Sequence, residues 1–161
     1  MRRCRLLTLL VLMLPAALRS APDPVAVAII VNPKNMMPDP SLAQLRSILS
    51  LDQQFWPDGS RVMLVLPPSS SIERRTLLAS IYALTDEQLR QRWVGRLFAG
   101  EIPAIPSVAP TAARAAALVG QAPGAIAAVR ADEVTAAVRV LLLDGKRIGD
   151  TGYPLVGTEA P

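Results

Sequence analysis

Three hydroxyls, Ser69, Ser70 and Ser71, stand at the end of the apolar run 62–66 and directly before Ile72, Glu73, Arg74 and Arg75. Pro67 and Pro68 bend the chain between the run and the serines. A strand that delivers serines to a helix start gathers O–H donors, unpaired backbone N–H groups and the positive end of a helix dipole, which together suit an oxyanion. Arg74 adds a guanidinium able to make a forked, charge-assisted pair. The same residues also make an ordinary helix cap, worth about 1 kcal/mol. Arginine in a first turn opposes the dipole when no anion is present, and Glu73 repels an oxyanion unless it points away.

Activated nucleophiles are harder to find. The chain has no histidine, which removes serine–histidine and cysteine–histidine triads and most zinc sites. Lys34 and Lys146 are the only lysines, and neither is spaced to form a dyad with a serine. Gly145-Lys146 lacks the upstream glycines of a phosphate-cradling loop. Asp52, Asp58, Asp86, Glu87, Asp132, Glu133, Asp144 and Asp150 fall mostly at turns and helix starts, where capping and solubility explain them. The expectation is a protein without catalytic residues, metal or cofactor. Arg90, Arg92 and Arg96 interleave with Trp93, but Leu89, Trp93 and Leu97 form an apolar stripe. A solvated basic ridge beside a core face is therefore expected, rather than a nucleic-acid patch.

Residues 1–20 carry Arg2, Arg3 and Arg5, the apolar stretch 6–14 and a small residue, Ser20, before a proline-rich region. This is the pattern of a secretory signal peptide, too short to span a bilayer comfortably. The net charge of +4 belongs to it: four of the seventeen basic residues lie there, leaving thirteen against thirteen acidic groups. A formally neutral mature chain gives no reason to expect a nucleic-acid partner. Cys4, the only cysteine, is also in this segment, so the exported chain folds without disulfides, as suits a bacterial periplasm.

The elements that must position the serines follow from periodicity. Residues 25–31 are continuously apolar and read as a strand covered on both faces. Ser41 caps a helix with Leu42, Leu45, Ile48 and Leu49 on one side and Gln44 at the capping-box position. After a turn at 57–59 comes a second strand, 61–66, and then the helix that follows the serines, with Ile72, Leu77, Leu78, Ile81 and Tyr82 as its apolar face. Thr85 and Gln88 open a further helix that ends at Gly100. A proline-rich linker leads to an alanine-rich helix, 111–119. Residues 124–129 and 138–143 read as the third and fourth strands, and 156–161 as a loose tail. With aromatic content of only 4 %, the core is expected to be mainly Leu, Ile, Val and Ala, in one layered α/β domain over 21–155.

Asn32-Pro33, the helix 41–49, residues 55–60, Ser71 with Arg74, Trp93 with residues 97–100, residues 123–126 and Gly152-Tyr153-Pro154-Leu155 together resemble phosphate-type periplasmic substrate-binding proteins, in particular a short, single-lobe form. The resemblance covers roughly residues 25–155. It implies a type II periplasmic-binding-protein-like single lobe: a central mixed sheet with flanking helices. It also implies an exported, non-catalytic binder of inorganic phosphate or a similar oxyanion, linked to ABC-type phosphate uptake and located in the periplasm. Ser69, Ser70 and Ser71 replace the family's Ser-Gly-Thr turn, with Arg74 beside them. The chain departs from the family in lacking that glycine, a preceding arginine and the long segment that builds the opposite lobe, and in having Leu77 where phenylalanine is common. One lobe alone implies weak binding, or a second chain that completes the site. The alternative is an envelope interaction or sensory adaptor module that has lost its ligand, with an apolar patch beside Phe55 and Trp56.

Overall fold

A computed structural model describes residues 23–158, and the expected signal peptide lies outside the described residues. The apolar run after Asp23 forms β1 (Pro24–Val31), fully buried from Val27 onward. Val27, Ile29 and Val31 face one core while Ala28 and Ile30 face another, the period-two alternation of a central strand. Ser41 caps α1 (Leu42–Leu49) by accepting the Gln44 N–H. β2 (Met63–Leu66) then leads through the serines into α2 (Ile72–Leu77), which runs on as a π-helical turn (Leu78–Tyr82). Ala83, at φ 51°, ends it in the left-handed region, and Arg46 donates to the carbonyls of Ser80 and Ile81, a cationic closure of a helix C-terminus.

Thr85 and Gln88 make a reciprocal capping box at the start of α3 (Asp86–Phe98). β3 (Ser107–Val108) arises inside the proline-rich linker, where sequence pattern indicates no strand. Thr111 caps α4 (Ala112–Gln121), and β4 (Ala125–Arg130) precedes a 3₁₀ turn at Ala131–Glu133. Of the fourth expected strand only β5 (Arg139–Val140) pairs regularly. Leu141 still donates to Ile29 O, and Leu142 N–H turns away to the Asp39 carboxylate. The expected tail begins as a strand, β6 (Val156–Thr158), paired with Pro24–Ala26 of β1. Gly157 makes this possible, because any side chain there would collide with Thr76 Oγ1 of α2.

The sheet is mixed, ordered β3-β2-β4-β1-β5, with β6 also on β1. β2 runs parallel to β3 and β4, whereas β1 is antiparallel to β4, β5 and β6. α1, α2, the π turn and α3 cover one face with large side chains, including Leu45, Ile48, Leu77, Tyr82 and Trp93. α4 covers the other face with Ala115, Ala116 and Val119, set against Ala28, Ala125 and Ala127. Thin side chains let that helix lie close, as its alanine content suggests. The architecture is the expected mixed α/β layer: a central sheet with flanking helices.

Candidate functional site

The serine turn begins at the carboxyl end of β2. Ser71 N–H donates to Pro68 O at 3.0 Å, closing the turn, and Ser71 Oγ accepts the Arg74 N–H at 3.1 Å, closing the cap. Pro67 is buried, Ser69 and Ser70 are exposed, and Ser71 is half-buried. The expected helix cap is thus formed by Ser71, while Ser69 and Ser70 present their hydroxyls at the surface. Arg75, one residue past Arg74, donates from Nη1 to Ser70 O at 2.8 Å, so a second guanidinium lies directly on the turn.

Arg74 occupies different surroundings. Its side chain is only 5 % exposed, its Nε donates to Asp86 Oδ1 at 2.6 Å, and its Cζ lies 5.8 Å from the centroid of a Trp93 ring. That geometry combines a charge-assisted pair with a cation–π contact. Nη1 is buried without a hydrogen-bond partner among the described residues. Glu73 is buried as well. The structure therefore brings the three serines together, ties Arg74 sideways into the α2–α3 junction, and leaves Arg75 as the guanidinium in contact with the turn. Asp86 is the residue that sequence reading places only at a helix start. Twelve positions separate it from Arg74, and no local spacing signals that pair.

Tyr82 closes the same junction. Its ring meets Trp93 edge-on at 5.9 Å and its hydroxyl donates to Leu49 O. Burial pushes this phenol well above the ordinary tyrosine range, with Arg74 and then Arg92 pulling the other way. The expected solvated ridge on α3 is only partly so. Arg90 pairs with Glu87 at the surface, but Arg96 turns inward to the carbonyls of Ser50 and Leu51 beyond α1, and also meets Asp52 and Glu101. It closes a helix end, which explains its place beside the core stripe.

Topology marks the serine turn in a second way. β2 and β3 are parallel neighbours, yet β2 leads to α2 on the large-residue face and β3 leads to α4 on the alanine face. In open α/β sheets ligands sit outside the carboxyl ends of strands where the chain departs to opposite faces. The turn after β3 is capped like the serine turn, with Thr111 Oγ1 accepting the Arg114 N–H at 3.2 Å.

At the opposite end of β2 lies an apolar groove of about 260 Å³, lined among others by Leu51, Val62, Met63, Pro103 and Ile105. Phe55 is half exposed nearby in sequence with Arg61 stacked on it, but Trp56 is buried and its Nε1 donates to Gly124 O at 2.9 Å. Of the two aromatics beside which an apolar patch is anticipated, only Phe55 is exposed, and neither lines the groove.

No protein-family model matches the chain, and no curated protein does. Solved structures do. An ABC-type phosphate transport receptor from Vibrio cholerae superposes with a TM-score of 0.67 at 14 % identity, over 86 % of this chain and 56 % of that one. A phosphate ABC transporter substrate-binding protein with bound phosphate from Clostridium perfringens gives 0.67 at 16 % identity, over 84 % and 54 %. PstS from Borrelia burgdorferi gives 0.67 at 13 %, over 86 % and 57 %. The present chain has a phosphate-binding-protein-like fold and spans just over half the length of each of these proteins.

Proposed function

We propose that the chain is an exported, non-catalytic binding protein for phosphate or a similar oxyanion, working with ABC-type phosphate uptake in the periplasm. The observation that carries this reading is the serine turn at the carboxyl end of β2, in a fold shared with phosphate receptors. Ser69, Ser70 and Ser71 supply hydroxyl and N–H donors. Arg74, whose Nη1 has no acceptor among the described residues, supplies positive charge from behind the turn. Oxyanion donors of this kind work without a desolvated free cation, because the dipoles are fixed before the ligand arrives. One lobe that spans just over half of each structural neighbour offers one wall of such a site, so affinity is weak until a partner covers the exposed serines. Export rests on residues 1–20 read as a signal peptide.

Calorimetry of the chain from residue 21 with inorganic phosphate tests the reading. Binding in the millimolar range that is lost in a Ser69→Ala, Ser70→Ala double variant supports it; no heat at millimolar phosphate with the folded protein contradicts it.

A second reading has its own observation. The buried Glu73 places a carboxylate beside the turn, and the groove at Met63 and Ile105 is apolar and exposed. Both favour an envelope interaction or sensory adaptor module that has lost its ligand. For that reading, Met63→Glu abolishes a protein contact in envelope extract while the serine variant leaves it intact.

A further inference from the structure

Arg74 joins two structures that sequence keeps apart. Its backbone N–H closes the Ser71 cap at 3.1 Å, and its side chain leaves the turn to pair with Asp86 at 2.6 Å over the Trp93 ring. Guanidinium stays charged at every accessible pH. A buried charge without a counter-charge is strongly unfavourable, so the side chain stays inside only while an anion neutralises it there. Asp86 is the only carboxylate paired with Arg74 among the described residues.

We infer that Asp86 is a positioning residue for the serine turn, acting through Arg74. This rests on the phosphate reading of the turn and deepens it: Asp86 touches no ligand, but it decides where the Arg74 charge sits and whether the cap beneath Ser71 is held. With Asp86 on Nε, the guanidinium is anchored against Trp93, and its Nη1 stays buried without a hydrogen-bond partner among the described residues. Without Asp86 the buried cation loses its counter-charge and swings toward water. Because Arg74 is the third residue of α2, that movement disturbs the N–H that Ser71 accepts. The adjacent Glu87 provides an internal control. It sits in the same first turn of α3 with the same charge, but it pairs with Arg90 at the surface and not with Arg74.

Amide hydrogen exchange measured by NMR on the chain from residue 21, first without ligand, separates these roles. In Asp86→Asn the Arg74 amide is expected to exchange about fivefold to tenfold faster than in the parent, the scale of one lost cap. Asp86→Glu restores protection, and Glu87→Gln leaves it unchanged. With inorganic phosphate added, Asp86→Asn is expected to weaken binding by about tenfold. Arg74 exchange in Asp86→Asn within about twofold of the parent overturns the inference. So does an equal loss in Glu87→Gln, which reduces the effect to helix-start charge. If the parent chain binds no phosphate, the phosphate reading fails, whereas the ligand-free exchange still decides whether Asp86 positions the turn.

Discussion

Two strand-to-helix turns of this domain share one cap and differ in everything around it. After β2, Ser71 Oγ accepts the Arg74 N–H; after β3, Thr111 Oγ1 accepts the Arg114 N–H three residues on. Both place an arginine at the same helical position. Yet Arg74 is buried, paired with Asp86 and stacked on Trp93, whereas Arg114 is exposed and makes no side-chain hydrogen bond or ion pair to a described residue. The serine turn also has Ser69 and Ser70 exposed beside it, whereas Pro110 precedes Thr111. Capping geometry therefore specifies a helix start and no more. What separates a candidate anion site from a plain cap is the surplus of donors and a cation held in fixed surroundings.

Trp93→Ala should break the comparison most severely. The ring is 2 % exposed and supports both Tyr82 and Arg74, so its loss should cost about 3–5 kcal/mol in urea unfolding. Next, Arg74→Ala should destabilise by about 1–3 kcal/mol through lost packing and an abandoned partner, against less than about 0.5 kcal/mol for Arg114→Ala. Equal effects at the two arginines would dissolve the distinction. Ser71→Ala and Thr111→Ala should each cost about 1 kcal/mol, but only the first should alter phosphate binding.

The smallest effect at neutral pH is an alkaline one. Burial pushes Tyr153 up to about 12 and raises Tyr82 further, and both belong to the large-residue face. A phenol that ionises near pH 10 when unfolded but later when folded contributes stability below pH 10, lost as the pH rises toward 12. Hydrogen exchange between pH 10 and 12 should therefore loosen α2 and α3 before α4. Tyr153→Phe should flatten the alkaline limb of the unfolding curve while losing the hydrogen bond to Val27 O.

Most of the fold is legible in the sequence because local signals and burial agree. The run 25–31 is apolar on both faces and becomes the doubly covered β1, and the caps at Ser41, Ser71, Thr85 and Thr111 all start helices. The missed strands are those made by partners rather than by pattern. β3 is two residues in a proline-rich linker, paired because β2 lies alongside, and β6 forms because Gly157 lets the chain pass over α2. The serine turn is likewise visible from residue types alone. The Arg74–Asp86 pair is not: a side chain in the first turn of a helix can point along the helix, to solvent or to a neighbour, and here packing of α2 on α3 decides. Arg96 makes the same point, since a residue expected on a solvated ridge closes the end of α1.

We propose that the turn after β2, and not its twin after β3, receives an oxyanion. Titrating inorganic phosphate into the uniformly ¹⁵N-labelled chain from residue 21, at constant pH and ionic strength, tests it most directly. Saturable shifts of the Ser70 and Ser71 amides are expected, with Thr111 and Arg114 unmoved. Equal, non-saturating shifts at both turns, or none at millimolar phosphate, would contradict it.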